Sequence, residues 1–379
     1  MDSSSEHPVW SRNLRTARTV RTVRGWDPLR LAQETAYAAG LGAAETPRSL
    51  VRRVRDWEAG RYGPGEHYLL LLARVLDVHP EDLAVGARAK RVEADRIRAT
   101  SAHLVSLDGT PDGTDLVPAA VRAARTARTA AGSGASPDVV SAAAEALQVA
   151  GWLAFDADEH VLARRLTSAS VVTARAGGDR GGELFALAQL AMHDAHEHRP
   201  SQAHQVCEHV LDQKLSPRLA CLFELRLARA QGQSNTPVRA LATLRRARSR
   251  LREGAGDRDP HWTWWIVDSE LTCHEAMIHV DDGRWDRAQE LFASAREHCP
   301  PHNPRGPLIH AVHQLDALVR LRAWTAAREV LTTAVVPLVG RVRSGRVDAL
   351  LARTARLGAE ASAPAPFREL MRVAVAAAR

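Results

Sequence analysis

The chain is poor in aromatic residues, nearly devoid of lysine and sparing with cysteine, and each shortage excludes something. Aromatics make up 4% of its 379 residues, and β-branched runs are scarce, which excludes folds built on alternating Val, Ile, Tyr and Phe. Lys90 and Lys214 are the only lysines, so nearly all positive charge is arginine. The cysteines, Cys207, Cys221, Cys273 and Cys299, form no C-x-x-C pair and fall on apolar positions of helical patterns. They read as small core residues in a reducing compartment rather than as a disulfide or zinc framework. No apolar run reaches the roughly 18 residues of a membrane span, and the N-terminus has no apolar signal core. A cytoplasmic protein with no membrane partner is expected. No phosphate-cradling Gly-rich loop, nucleophile elbow or kinase-type loop occurs. The paired carboxylates Glu81-Asp82 and Asp281-Asp282 sit where helices end and acids are commonly solvated. Neither an enzyme nor a cofactor is indicated.

What is present is Ala, Leu, Arg and Glu at helical spacing almost throughout, which predicts an all-α protein. At 379 residues the chain exceeds one ordinary core. Its net charge of +7 is concentrated: Trp10 to Arg61 holds eleven Arg against five acids. A basic patch of this density suits an anionic polymer, because neutralising phosphates releases counterions.

Three regions follow: a basic domain over 1–85, a linker over 86–115, and a helical repeat domain with terminal capping helices over 116–379. Residues 10 to 84 break into five short helical segments. The first carries Arg12, Arg15, Arg18 and Arg21 outward. Asp27-Pro28 and Thr46-Pro47 read as cap-plus-proline starts of the second and third, and Pro80 to Leu83 gives a short fifth. From Val85 the pattern weakens, and Asp108 to Asp115 is rich in turn formers, which suggests a flexible joint.

Beyond Leu116 the chain repeats. Two helices that cross closely need small residues at the crossing, so a small residue in one helix should precede a small residue in the next by a fixed interval. Gly151 and Ala163, Ala191 and Ala203, Ala228 and Ala240, and Ala276 and Ala288 are each twelve apart, while Leu315 and Ala327 keep the interval without the first small residue. Steps of 40, 37, 48 and 39 residues between the second members exceed the roughly 34 of an ideal tetratricopeptide repeat, so an irregular array is expected.

In the third segment Leu50, Val54 and Trp57 share a narrow arc, with Arg48, Arg52 and Arg55 opposite. Arginine forks match guanine edges and phosphates in the way a recognition helix requires. Arg53, Arg61 and Tyr62, with Arg15, are placed to grip phosphate. The run Val54-Arg55-Asp56-Trp57-Glu58-Ala59-Gly60, with Gly25-Trp26-Asp27-Pro28-Leu29-Arg30-Leu31-Ala32 before it and Leu70 to Leu76 after it, resembles the Cro/C1-type (XRE) helix-turn-helix. That resemblance implies that Val51, Arg52, Arg53, Arg55 and Asp56 face the groove while Val54 and Trp57 are core. The turn before this helix, Tyr37 to Glu45, is longer than the family's. Gly151-Trp-Leu-Ala-Phe-Asp156 and Asp268-Ser-Glu-Leu-Thr-Cys-His274, behind such a domain, are similar to actinobacterial XRE regulators with tetratricopeptide arrays. The likeness implies a homodimeric repressor of developmental or antibiotic-production genes, with double-stranded DNA and a peptide, small-molecule or protein effector as partners. The alternative reading is a protein-protein adaptor whose helix-turn-helix does not bind DNA.

The inner face of such an array is lined by the first helix of each pair. The fourth repeat gives Glu270, His274, Met277 and Asp281. Equivalent positions elsewhere are Gln148, Trp152 and Asp156; Gln189, Met192 and His196; Arg226 and Arg229; and His313, Asp316 and Arg320. This surface suits an extended peptide or a partner helix, with Trp262, Trp264 and Trp265 as a lid or anchor. The run His193-Asp-Ala-His196-Glu-His198 invites a metal, but its histidines diverge on the helix and no second cluster completes a site, so no metal is expected.

Overall fold

The computed structural model describes residues 21–22, 24–39, 48–58, 64, 66–78, 80–110, 116–132, 134–254, 259–300 and 305–378, without the side chains of 66, 80–91, 261 and 264. Among the described residues the chain is all-helical and has no strand. It divides into two compact units: Met1–Thr100 with Ala123–Ala144 and Ala176–Asp179, and Ser101–Arg122 with Glu145–Arg175 and Arg180–Arg379. No helix among the described residues is long and apolar enough to cross a membrane.

In the first unit α1 (Pro28–Ala38), α2 (Arg48–Glu58) and α3 (Glu66–Leu76) enclose one small core. Leu31, Ala32 and Ala36 of α1 meet Leu50, Val54 and Trp57 of α2 and Leu72, Ala73 and Leu76 of α3. α1 starts as its sequence dictates: Pro28 stands in the first turn, and the Asp27 carboxylate accepts the Arg30 backbone N–H at 2.7 Å.

The expected linker over 86–115 and the short helix at Pro80 are corrected together. Residues Pro80–Leu107 form one 28-residue helix, α4. Its buried stripe, Ala94, Ile97, Ser101 and Leu104, has helical spacing, but Ala94 and Ser101 alternate with its two large apolar residues, so the pattern reads as weak in the sequence.

The helices that follow are α5 (Leu116–Ala130), α6 (Pro137–Asp156), α7 (His160–Ala176), α8 (Arg180–His196), α9 (Pro200–Leu211), α10 (Pro217–Gln233), α11 (Pro237–Arg252), α12 (Asp268–Asp281), α13 (Trp285–Glu297), α14 (Arg305–Arg320), α15 (Trp324–Val330), α16 (Gly345–Glu360) and α17 (Ala365–Ala378). From α8 to α15 consecutive helices pack against one another, as do α16 and α17, and the first helix of one pair also meets that of another, α8 on α10, α10 on α12 and α14 on α16. All the small residues that lie twelve apart are buried. At Gly151 a Cβ would collide with Thr167 of α7, the close approach that the interval implies.

Each pair turns in the same way. Asp158, His198, Asn235, Gly283, Arg322 and Ser362 all have positive φ, between 54° and 71°, and each stands five residues before Ala163, Ala203, Ala240, Ala288, Ala327 or Phe367. The next N–H in each turn reaches back five residues: Glu159 to Ala154, Arg199 to Asp194, Thr236 to Gln231, Arg284 to His279, Ala323 to Leu318 and Ala363 to Gly358. This is the Schellman ending, which satisfies helix-terminal carbonyls.

The second unit also joins its own ends. The Asp156 carboxylate at the end of α6 accepts from Ser344 at 2.9 Å and Arg346 at 2.8 Å beside the start of α16, and pairs with Arg305 of α14 at 3.3 Å. Gly345 lies so near that a Cβ there would stand 2.9 Å from the Ala157 backbone.

Candidate functional site

The arginine face belongs to α2. Arg48, Arg52, Arg53 and Arg55 are exposed on it, while Leu50, Val54 and Trp57 are buried. The Arg52 side chain is 84% exposed and lies 3.8 Å from Asp56, so its fork is free to turn outward. Arg53 rests on Tyr68 of α3, its guanidinium 5.8 Å from the ring centre. Two expectations fail. Asp56 is buried and cannot face a groove, and Val51 leans on the α1–α3 core rather than projecting from it. Both lie on the flank of an 11-residue helix wedged between two others, where the buried arc is wider than three residues.

Arg21, read as outward, is also buried. Its guanidinium makes two bonds to Glu58, 2.7 and 3.2 Å, and donates to the Trp26 carbonyl. Arg24, not singled out in the sequence, donates to the terminal carbonyls of α3, at Val75 and Leu76. Both therefore serve the small core rather than a ligand. Arg15, Arg61 and Tyr62 lie outside the described residues, as do residues 40–45 of the long turn expected before α2, whose first two residues, Tyr37 and Ala38, instead belong to α1.

The inward stripe of the second unit proves largely self-paired. Trp152 donates its indole N–H to Asp108 at 2.8 Å and lies 5.5 Å from the guanidinium of both Arg305 and Arg346. Asp108 also accepts from Arg305, so its end of the expected joint is held in place. Asp156 is bound as described above. Arg229 pairs with Asp281, both mostly buried. Asp316 accepts from Thr354 at 2.9 Å and Arg320 at 2.8 Å. Met192 packs with Phe155 and Trp152, Met277 packs on the α12–α13 core, and His313 stacks on Phe292 at 5.1 Å. Burial pushes His313 down to about 3 and Arg229 to about 10. Trp262 is a packing residue and not a lid: it stacks on Phe185 at 4.2 Å, beside the core that spans α8 to α12. The Trp264 side chain lies outside the description.

A further group gathers around α10 and α12. Arg226 Nη1 lies 2.9 Å from His274 Nε2, and His274 Nδ1 lies 3.0 Å from the Glu270 carbonyl. Arginine can only donate, so the imidazole accepts at Nε2 and donates from Nδ1. That tautomer is neutral, in keeping with a His274 lowered to about 4 by burial. Among the described residues Arg226 makes no direct ion pair with a carboxylate, its buried Nε is unbonded, and it lies 6.0 Å from the Trp265 ring centre. The Glu270 carboxylate makes no hydrogen bond and stays 32% exposed, 3.7 Å from His274 Nδ1. Burial raises this carboxyl, but the basic groups around it, Arg226 and Arg346 among them, outweigh burial and hold it below the ordinary range. Guanidinium groups from α10 and α16 thus bear on a carboxylate that is still partly exposed.

Three of the four cysteines are core residues. Cys207, Cys221 and Cys273 are buried, and burial lifts the Cys207 and Cys221 thiols to about 12, far from thiolate reactivity. Set against protein-family models and curated proteins, the chain matches none of them.

Proposed function

We propose that the chain is a sequence-specific DNA-binding regulator, whose α1–α3 unit is an XRE-like helix-turn-helix and whose paired helices are a tetratricopeptide-like sensing array. The observation that carries this reading is the exposed row Arg48, Arg52, Arg53 and Arg55 on α2, a helix whose opposite face is locked by Leu50, Val54 and Trp57 between two neighbours. A row of arginines on a helix so fixed has the chemistry that guanine edges and phosphates require. We propose further that the protein is cytoplasmic and non-enzymatic, that it acts as a homodimer because paired reading helices match two-fold operators, and that it represses developmental or antibiotic-production genes. Its effector site is the Arg226–His274–Glu270 group with Trp265, because Trp152, Asp156, Arg229, Asp281 and Asp316 of the inward stripe are engaged in pairs of their own.

The test is a gel shift on the protein's own upstream region across a salt series. Arg52→Ala and Arg55→Ala should each cost about 1–3 kcal/mol on the specific site and relax its discrimination. Equal losses on random DNA would mean that neither side chain reads sequence. Negligible binding before and after substitution would favour the adaptor reading.

A further inference from the structure

The histidine-rich run at the end of α8 does not form a site by itself. Asp194 is taken by Arg164 and Arg199, and His198 sits in the turn, 3.4 Å from Gln233. Folding brings His196, the last residue of α8, to a second group contributed by the α6–α7 turn. Asp158 is the positive-φ residue of that turn, and its Oδ1 lies 2.9 Å from Nε2 of His160, the first residue of α7. The His160 and His196 ring centres are 4.8 Å apart. One ligand atom from each of Asp158, His160 and His196 lies within 4.8 Å of the others.

Phe155 is the common wall, 5.7 Å from His160 and 5.0 Å edge-on to His196. His193, one turn before His196, stacks on the same ring at 4.6 Å and is buried with neither ring nitrogen bonded. The His160 Nδ1 is likewise buried and unbonded. Interior polar atoms are normally partnered, so neither His193 nor the far side of His160 is committed to another group, while His160 Nε2 is the nitrogen turned to the Asp158 carboxylate.

We propose that Asp158, His160 and His196 bind a divalent transition-metal ion of the zinc class, with solvent completing the coordination. Two imidazoles and a carboxylate are a borderline-soft donor set, suited to Zn²⁺, Co²⁺ or Ni²⁺ and poorly suited to Mg²⁺ or Ca²⁺. In a tetrahedral site the ligand atoms stand roughly 3.4 Å apart, so the cluster needs to contract only modestly, and the exposed His196 is free to make that movement. Arg346 lies over the Phe155 ring at 5.1 Å, but its charge is matched by Asp156 and does not oppose the ion alone.

The experiment uses the full chain after treatment with a chelator. Co²⁺ should give a saturable visible absorption band at one equivalent, displaced by Zn²⁺, and Zn²⁺ should raise the melting temperature. His160→Gln, His196→Gln and Asp158→Gly should each abolish the band or weaken affinity by about 100-fold, at least the loss expected for removing even an outer partner. Asp158→Gly removes a ligand while relieving a positive φ, so it keeps the fold while losing the metal. His198→Gln and His204→Gln should leave binding unchanged. A band that survives Asp158→Gly and both histidine variants, or that falls equally in the His198 and His204 controls, overturns the proposal, as does the absence of saturable binding in the parent chain.

Discussion

At the scale of single residues the second unit is held by charges that the sequence shows only as scattered polar positions. Asp156 is the sharpest case. It is 5% exposed and serves Arg305, Ser344 and Arg346 at once. Removing one partner of a buried ion pair strands the others, so Asp156→Ala should cost about 3 kcal/mol or more, read as a lower urea midpoint. From sequence Asp156 was legible as an inward position but not as a structural hub, because its partners lie 149 to 190 residues downstream. His274 makes a prediction in pH. Its unfolded imidazole protonates near pH 6.5, whereas the folded one, accepting from Arg226, stays neutral down to about 4. Stability is then full above pH 6.5 and falls as the pH drops toward 4, by about 2 kcal/mol between pH 7.5 and 5 from this residue alone. His274→Gln keeps an acceptor for Arg226 and cannot titrate. Urea midpoints at the two pH values should lie closer together in this variant, and an unchanged gap would show that the imidazole does not reside there in neutral form.

At the scale of elements the fold rests on a repeated hairpin whose crossing was legible and whose turn was not. The twelve-residue interval of small residues identifies the crossing because close backbones tolerate little else. The turn needs only one left-handed residue, and five of the six are Asp, His, Asn, Arg or Ser, so no glycine signal announces it. An L-residue with a side chain gives up about 1 kcal/mol in that conformation. Arg322→Gly and Ser362→Gly should therefore each stabilise the protein by about that amount, and Gly283→Ala should destabilise it similarly. Thermal melts of the three variants check the signs, and a destabilised Arg322→Gly would mean that its side chain contributes more than the turn costs. The same contrast explains α4: Ala94 and Ser101 alternate with Ile97 and Leu104, so its helical spacing shows only two large apolar residues to a reading tuned to them.

At the scale of the whole molecule the paired helices differ from an open array, in which each repeat meets only its neighbours. Here the end of α6 is fastened to the starts of α14 and α16. Ending the chain after residue 340 removes Ser344, Gly345 and Arg346 together with α16 and α17. Hydrogen exchange should then quicken at the distant residues 150–160 as well as in α14, and unaltered protection at 150–160 would mean that the join carries no stability. The join also bears on how the protein can change through evolution. Open arrays lengthen or shorten by whole repeats with little consequence, since any unit can follow any other. In this chain the carboxylate of Asp156 reaches its arginines because the hairpins between them bring Arg305 and Arg346 back to it. A duplicated or deleted hairpin would carry them past or short of that point. The count of repeats is thereby tied to one carboxylate, and variation is left to the lengths of turns and to the residues that face outward.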